Sequence, residues 1–317
     1  MRVGHRHGET HPGRRRRSNE DAFICAPPLF AVADGMGGAQ AGEVASALAA
    51  ATLEEGFRSG SAHGIQHEGH IVALVQAANA RVHYRASIDI AVQGMGTTMT
   101  VAYVQPNGGV TIAHVGDSRA YMLRDDRLHQ LTDDHSLVAE LVRRGELTPD
   151  EAEIHPQRSV ITRALGTEPE VEVDSFTVAA RSGDLFLLCS DGLTTMVGSE
   201  TIRRVLAEHR ADTRTAVREL IRAANDNGGE DNITAVVFEL VEGDDPTEEN
   251  VLASVDEDTL HGETRLPEHL LGAGDTMIVR AEDLEPRAGP LQTALAALVV
   301  LALSGVVVAL VVWGLAR

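Results

Sequence analysis

The sequence predicts an α+β fold in which antiparallel sheets are covered by helices. Short segments rich in Val, Ile, Thr and Phe are separated by longer stretches with helical periodicity. These segments follow one another in pairs, strand after strand and helix after helix, which disfavours the strict βαβ alternation of a doubly wound parallel sheet. With 317 residues, 43% of them hydrophobic, the chain is long enough for one large domain or two small ones.

The predicted strands are short apolar runs bounded by turn residues, and the predicted helices are rich in good helix formers. Strands are expected at residues 29–33, 97–104, 110–115, 120–124, 171–178, 184–189 and 233–240. Helices are expected where apolar residues recur at helical spacing, at residues 42–57, 70–87, 200–209 and 213–225. All of these elements fall within a body that spans residues 5–240.

The C-terminal part of the chain differs from this body in composition. Residues 241–290 contain 14 Asp and Glu against 3 Arg, an acidic composition that is typical of a disordered tether. Residues 295–315 are uncharged and apolar, and a run of this length can cross about 30 Å of hydrocarbon. We therefore expect one transmembrane helix, which we place at residues 291–315.

Charge and cysteine content restrict the location and the partners. The basic N-terminal residues are followed by no apolar segment, so they do not form a secretory signal. Arg280 and Arg287 precede the predicted transmembrane helix and only Arg317 follows it, so the positive-inside rule predicts a cytoplasmic body on the cell inner membrane. Cys25 and Cys189 are expected to stay reduced there. The net charge of −20 argues against a nucleic-acid partner.

Acidic residues recur where predicted strands end or begin. They are Asp34, Asp117 and Asp191 after apolar runs, Asp231 just before one, and Glu20 and Asp21 after an arginine-rich stretch. Carboxylates at such positions are costly to bury unless they are paired or bind a metal, and several together would raise one another's pKa. Mg²⁺ and Mn²⁺ prefer oxygen ligands of this kind, so the pattern predicts a divalent metal site.

These acidic residues lie within a series of short motifs in a fixed order. The motifs are RRSNEDA at 16–22, VADGMGG at 32–38, GMGTT at 94–98, HVGDSRAY at 114–121, LTDDHS at 131–136, CSDGL at 189–193 and EDNIT at 230–234. The series resembles the metal-dependent serine/threonine protein phosphatases, the PPM or type-2C family, in its short bacterial form, over about residues 8–240. The resemblance implies a four-layer α-β-β-α sandwich of two antiparallel sheets flanked by helices.

The resemblance also implies the ligands of a centre with two Mn²⁺ or Mg²⁺ ions. Asp34 would bridge the two ions, with the carbonyl of Gly35 on one ion and Asp191 and Asp231 on the other. Asp117 corresponds to the residue that, together with Asp191, holds a third ion in bacterial members. Three further residues are expected around the metals and not as their direct ligands: Glu20, Asp21 and Asn232.

The implied reaction is hydrolysis of phosphoserine and phosphothreonine in proteins by a water that the paired metals activate, without a phospho-enzyme. Arg16, three residues before Asn19, would bind the phosphate through its bidentate guanidinium group. Arg16 and Asp34 are thus the expected catalytic residues. The implied partners are phosphorylated proteins, including serine/threonine kinases and their substrates, so that the protein would reverse kinase signalling at the membrane.

One position departs from the family pattern. Some relatives have a histidine two residues after the bridging aspartate, proposed as the acid that protonates the leaving hydroxyl, and this sequence has Met36 there. Water on the metals and His135 of the DDHS motif are the candidates for this acid. The segment 135–166 is expected to form a helical flap beside the metals and to influence substrate choice.

Three other functions fit parts of the sequence. A membrane-tethered pseudophosphatase would bind phosphoproteins or a partner kinase without turning them over. A regulatory phosphatase would perform the same chemistry on one partner protein, as some relatives do on anti-sigma-factor antagonists. A nucleotide-binding protein could use the GMGG turn, but the sequence lacks the lysine of a P-loop and has Gln40 where a dinucleotide-binding turn ends in glycine or alanine.

Overall fold

A computed structural model describes residues 1–37, 41–62 and 68–243 of the chain. The predicted transmembrane helix and all but the first three residues of the predicted tether lie outside these described residues. Among the helices of the described part, none is long and apolar enough to cross a membrane.

Two antiparallel sheets form the centre of the described structure. Sheet A has the strand order β1-β11-β10-β7-β8, with β1 at Arg2–His11, β7 at Arg119–Arg124, β8 at Arg127–Gln130, β10 at Leu185–Cys189 and β11 at Ile233–Val241. Sheet B has the order β2-β3-β5-β6-β9, with β2 at Asp21–Ala26, β3 at Leu29–Met36, β5 at Met99–Val104, β6 at Gly109–Val115 and β9 at Asp174–Ala179. A short strand, β4 at Gly96–Thr97, pairs with the end of β3.

Helices cover the outer face of each sheet. The longer helices are α1 at Ala41–Ala62 and α2 at Glu68–Ile88, which pack on sheet B, and α6 at Ser199–Glu208 and α7 at Thr213–Asp226, which pack on sheet A. Three short helices lie in the connections: α3 at Leu137–Arg143, α4 at Pro149–Glu153 and α5 at Asp191–Thr194. The four longer helices carry stripes of apolar residues at helical spacing, which explains why they were recognisable in the sequence.

Alternation of side chains along the strands produces the layers. In β3, Phe30 and Val32 point into the core between the sheets, whereas Ala31 and Ala33 face α1 and α2. The rings of Phe30 and Phe238 stack across the sheets with centroids 4.0 Å apart. The three apolar cores, one between the sheets and one under each helical layer, confirm the predicted four-layer sandwich of antiparallel sheets flanked by helices.

Several predicted boundaries differ from the structure. Strands β1, β2 and β8 were not predicted, the strand expected at 171–178 begins only at Asp174, and Thr98 separates β4 from β5 within the strand expected at 97–104. The flap, residues 135–166, is only partly helical, because α3 and α4 are its only helices and residues 155–166 are irregular. Gly145 ends α3 with a positive φ of 72°, and a capping box between Thr148 and Glu151 starts α4.

Strand register gives the sandwich two chemically different ends. We call one end the acidic end: it contains residues 19–21, 34–36, 116–118, 190–191 and 231–232. The other, the hairpin end, contains residues 124–127 and 179–185 and the last described residues, 241–243. Because neighbouring strands are antiparallel, positions far apart in the chain meet at each end.

Candidate active site

Asp21 and Asp34 lie opposite each other at the ends of β2 and β3. Asp21 Oδ2 accepts hydrogen bonds from Ser190 Oγ at 2.9 Å and from Thr234 Oγ1 at 2.5 Å, while its Oδ1 is buried and has no hydrogen-bond partner among the described residues. Burial raises the pKa of Asp21 to about 7, and the nearby carboxylates of Asp191 and Asp231 add to this effect.

Asp34 is held through its backbone. Its carbonyl accepts from Thr97 Oγ1 and from Thr98 N, both at 2.9 Å, and its N–H donates to Thr98 Oγ1 at 3.0 Å. Burial raises the pKa of the Asp34 carboxyl well above its usual value, with further contributions from Asp21 and Asp191. The backbone of Asp34 is therefore held in place, and its carboxyl, the one expected to bridge the metals, lies among the other carboxylates.

Gly35 follows Asp34 in a space that only glycine can occupy. A β-carbon at this position would lie 2.1 Å from the carbonyl oxygen of Gly42 and 2.5 Å from that of Glu20. The Gly35 N–H donates to the same Glu20 carbonyl at 3.1 Å. This close approach of three backbone segments brings the loop before β2 and the start of α1 against the end of β3.

Asp191 and Asp231 approach Asp34 from sheet A. Asp191 is the first residue of α5, directly after β10, and its carboxyl lies close enough to that of Asp34 for each to affect the pKa of the other. Burial raises the pKa of Asp191, and Asp231 raises it further. Asp231 lies just before β11, where its Oδ1 accepts from the N–H of Asn232 at 2.8 Å. A β-carbon on Gly192 would clash with the Asn232 carbonyl at 2.0 Å, so α5 and this loop are in close contact.

Asp117 occupies a tight turn between β6 and β7. Its side chain is buried, with 7% exposure, and its Oδ1 has no hydrogen-bond partner among the described residues. Burial raises the pKa of Asp117 to about 7, and Asp191 and Asp134 raise it further. The preceding Gly116 has a φ of 114°, and a β-carbon there would lie 2.6 Å from the side chain of Thr98. The turn is thus in close contact with Thr98, whose hydroxyl binds the backbone of Asp34.

The loop before β2 brings Arg16 and Glu20 to the same end. Arg16 Nη2 donates to Asp231 Oδ2 at 2.7 Å, and burial raises the pKa of Glu20. The buried amide of Asn232 fixes this loop, because its Oδ1 accepts from Glu20 N at 2.7 Å while its Nδ2 donates to the carbonyls of Pro12 and Ser18 at 3.1 and 2.9 Å. Both ends of the Asn232 amide are therefore used to hold the loop that carries Arg16 and Glu20.

The donor set fits divalent metal ions. Asp21, Asp34, Asp117 and Asp191 all have raised pKa values, two of them carry a buried oxygen without a partner among the described residues, and the positive charges close to them are those of Arg16 and Arg119. In the part of the chain that the structure describes, no group of three or more His, Cys, Asp and Glu side chains is arranged to hold a metal ion. Mg²⁺ and Mn²⁺ do not need such a group, because Mg²⁺ usually keeps several waters and binds through one or two carboxylates.

His135 does not lie in the position of a general acid. Its Nδ1 accepts from the N–H of Gly116 at 3.0 Å and its Nε2 lies 3.1 Å from Asp174 Oδ2, so both ring nitrogens are used in the interior. The side chain is 4% exposed, and burial lowers its pKa. Met36 has no acidic proton, so neither residue serves as the acid that protonates the leaving hydroxyl.

The hydroxyl groups that support the carboxylates were not assigned from the sequence. Ser190 and Thr234 donate to Asp21, Thr98 binds the backbone of Asp34, and the Thr98 hydroxyl contacts that of Ser118 at 2.7 Å. Ser118, Ser190 and Thr234 lie within a few positions of an acidic residue, and Thr98 ends the GMGTT motif, so the only signal was their place in the motifs.

The chain matches the family model described as protein phosphatase 2C over residues 13–237. The serine/threonine phosphatase Stp of Listeria innocua is 40% identical over 242 residues, which cover 74% of this chain and 95% of that protein. The serine/threonine protein phosphatase PstP of Mycobacterium tuberculosis is 39% identical over 84% of this chain and 51% of that protein.

Solved structures show the same relationship. The crystal structure of the Mycobacterium tuberculosis serine/threonine phosphatase PstP superposes with a TM-score of 0.68 and 39% identity, covering 76% of this chain and all of that one. The catalytic domain of PstP in complex with two manganese ions gives a TM-score of 0.70 and 37% identity, with 76% of this chain and 100% of that chain covered. This chain therefore belongs to the protein phosphatase 2C family, and it is an enzyme that dephosphorylates proteins.

Proposed function

We propose that this protein hydrolyses phosphoserine and phosphothreonine in proteins with two Mn²⁺ or Mg²⁺ ions and acts against serine/threonine kinases at the inner membrane. The observation that carries the proposal is the convergence of Asp34, Asp191 and Asp231, from three distant motifs, at one end of the sandwich beside Arg16. The manganese ions in the PstP catalytic domain support the choice of metal.

Four groups would hold the two ions: the carboxylates of Asp34, Asp191 and Asp231 and the carbonyl of Gly35. Asp117, with Asp191, would hold a third. When bound, such ions supply Lewis-acid charge and a nucleophilic water at neutral pH. Deprotonated carboxylates are needed for this role, and each ion would offset the mutual repulsion that now raises their pKa values.

Arg16 is placed to orient the phosphate group. Its guanidinium group reaches Asp231 with one nitrogen and is 52% exposed, so other N–H groups remain available to a phosphate approaching from solvent. A guanidinium fork binds phosphate oxygens in a bidentate manner. The neighbouring Arg14 pairs with Asp226 at 3.0 Å instead, which makes it a matched control for Arg16.

The cysteines do not offer a competing thiolate mechanism. Burial raises the pKa of Cys189 to about 12 and that of Cys25 to about 11, so both stay protonated thiols at neutral pH. Because Met36 has no acidic proton and both ring nitrogens of His135 are used in the interior, water remains the candidate that protonates the leaving oxygen of the serine or threonine.

The reaction is tested with the full-length chain and a phosphothreonine peptide. Hydrolysis should require Mn²⁺ or Mg²⁺, stop with EDTA, and be much weaker for a phosphotyrosine peptide. Arg16→Ala should lower kcat/KM by about 10- to 100-fold through the lost phosphate contact, whereas Arg14→Ala should stay within about twofold. Binding of the phosphopeptide without turnover under any divalent ion would instead favour the pseudophosphatase.

Membrane attachment is a separate part of the proposal. Its support is the uncharged apolar run at residues 295–315. In the native host, the full-length chain should sediment with membranes and resist extraction by high salt, and a variant that stops at residue 290 should be soluble. A full-length chain found only in the soluble fraction would contradict the anchor and leave the phosphatase chemistry untouched.

A further inference from the structure

We propose that His135 is a positioning residue that fixes the turn carrying Asp117 and links this turn to the flap. The inference rests on the proposed function in one respect, since it treats Asp117 as a metal ligand. The observations that support the positioning role are the contacts of His135 with Gly116, Asp174 and Thr162.

His135 holds both backbone groups of Gly116. The N–H of His135 donates to the Gly116 carbonyl at 2.8 Å, and the N–H of Gly116 donates to His135 Nδ1 at 3.0 Å. Gly116 has a φ of 114° and abuts Thr98, so its backbone has little room to move. Because Asp117 is the next residue, the imidazole determines where that buried carboxylate lies.

The hydrogen bonds select one tautomer of His135. Nδ1 accepts from a backbone N–H and therefore carries no proton, so the proton is on Nε2 and is donated to Asp174 Oδ2 at 3.1 Å. Arg163 Nη1 lies 3.2 Å from Nε2, but it donates to Asp174 Oδ1 at 2.6 Å. The ring is thus a neutral bridge between the Gly116 N–H and the Asp174–Arg163 pair.

The same residue is joined to the flap. The His135 carbonyl accepts from Thr162 N at 2.8 Å, and Ser136 forms a bridge with Ile161. Arg163 reaches the other oxygen of Asp174 from the same segment. A displacement of residues 161–163 would therefore shift His135 and, through His135, the turn that carries Asp117.

Two substitutions separate the contacts of the ring. In His135→Asn the amide oxygen stands near the position of Nδ1 and can still accept from Gly116, but the contact with Asp174 is lost. In His135→Gln the amide reaches the position of Nε2 and can still contact Asp174, but the buried Gly116 N–H loses its acceptor. An unsatisfied buried donor is the more costly defect.

The test measures Mn²⁺ binding by isothermal titration calorimetry and amide hydrogen exchange of the peptide that contains Gly116, both with the full-length chain. We expect His135→Gln to weaken the weakest bound Mn²⁺ by about tenfold and to speed exchange at Gly116 even in EDTA. His135→Asn should stay within about threefold in affinity and keep the protection of Gly116. Thermal unfolding of each variant reports general destabilisation separately.

Equal Mn²⁺ affinities for wild type and His135→Gln, or equal shifts for the two variants, would overturn the inference. If His135→Gln does not fold, Asp174→Ala and Asp174→Asn replace it, because only the asparagine still accepts from Nε2. Asp174→Ala should then speed exchange at residues 160–163 and at Gly116 together, and exchange at only one of them would contradict the link. A wild type that binds Mn²⁺ but hydrolyses no phosphopeptide would refute the proposed function, while the exchange measurement would still decide this inference.

Discussion

A buried aspartate lies at each end of the sandwich, and the two differ in their hydrogen-bond and ion-pair partners. At the hairpin end, Asp184 is 2% exposed and is fully paired: it accepts from Arg124 Nε at 2.8 Å and from Arg181 N at 2.6 Å. At the acidic end, Asp117 is 7% exposed and its Oδ1 has no partner among the described residues. Asp184 is paired with an arginine of the protein itself, whereas Asp117 is the carboxylate that a divalent cation would neutralise under the proposed function.

This contrast shows that burial alone does not indicate function. Both residues are buried and lie beside strand ends of the same sheet. What differs is the balance of charge around them, because Arg124 forms an ion pair with Asp184, whereas the repulsion of Asp191 and Asp134 outweighs the attraction of Arg119 at Asp117. Removing a carboxylate should therefore reduce stability at the hairpin end and reduce activity at the acidic end.

The largest expected effect is at the acidic end. Asp191→Asn removes a proposed metal ligand and should lower kcat/KM by about a thousandfold, which corresponds to ~4 kcal/mol of transition-state stabilisation. The free energy of unfolding in EDTA should not fall, because the substitution also removes a repulsive charge next to Asp34 and Asp231. Phosphopeptide kinetics and urea titration measure the two quantities, and activity near that of wild type would contradict the site.

The complementary substitution is Asp184→Ala at the hairpin end. It leaves the guanidinium group of Arg124 and the N–H of Arg181 without their acceptor, and breaking such a pair costs about 3 kcal/mol of unfolding free energy. The kcat/KM of the folded enzyme should remain within about twofold. Asp184→Asn, which keeps an acceptor, is the milder control, and a loss of activity without loss of stability would break the comparison.

A smaller effect is expected from pH in the absence of metal. The pKa values of Asp21 and Asp117 are raised to about 7 in the folded state, far above those of an unfolded chain, so folding favours their protonated forms. In EDTA the free energy of unfolding should therefore fall as pH rises from about 6.5 to 8, by about 1 kcal/mol for each carboxyl.

In this pH window the buried carboxyls change the free energy of unfolding, whereas the buried His114 does not. Burial lowers the pKa of His114 to about 4, so its contribution to stability is complete above the pKa of an unfolded histidine, about 6.5. Saturating Mn²⁺ should abolish the fall, and Asp117→Asn should reduce it. A free energy of unfolding that is flat or rises with pH in EDTA would show that the acidic end is already neutralised by the protein.

The smallest effect should come from an exposed ion pair at the acidic end. Arg14 and Asp226 are about half exposed and lie 3.0 Å apart, and such pairs contribute about 0–1 kcal/mol. Asp226→Ala should change the unfolding free energy by less than about 0.5 kcal/mol and leave kcat/KM unchanged within about twofold. A large loss of activity on removing Asp226 would show that a carboxylate near this end affects catalysis even when it is exposed and already paired with an arginine.

The sequence predicted the parts of this arrangement that depend on local pattern. The strands that contain Asp34 or lead to Asp117 and Asp191 were visible as apolar runs, and the order of the motifs indicated that their carboxylates meet. Antiparallel pairing alone then explains why the meeting point is one end of the sandwich.

The parts that were missed depend on long-range contacts. Strand β1 is polar, with three histidines and two arginines, and it becomes a strand only because it pairs with β11 more than 220 positions later. The clamp formed by Asn232 on residues 12–20 and the contact of His135 with Gly116 have no local signature either. The flap was overestimated as helical because Gly145 and the turn before α4 interrupt it.

Strand β11 connects the two ends of the sandwich directly. It starts at Ile233, beside Asp231, and after roughly 25–30 Å of extended backbone it reaches Val241 next to Arg2. The described chain therefore leaves the sandwich at the end remote from the acidic residues. A variant that ends at Gly243 and is immobilised there should leave the acidic end accessible to bulky protein substrates.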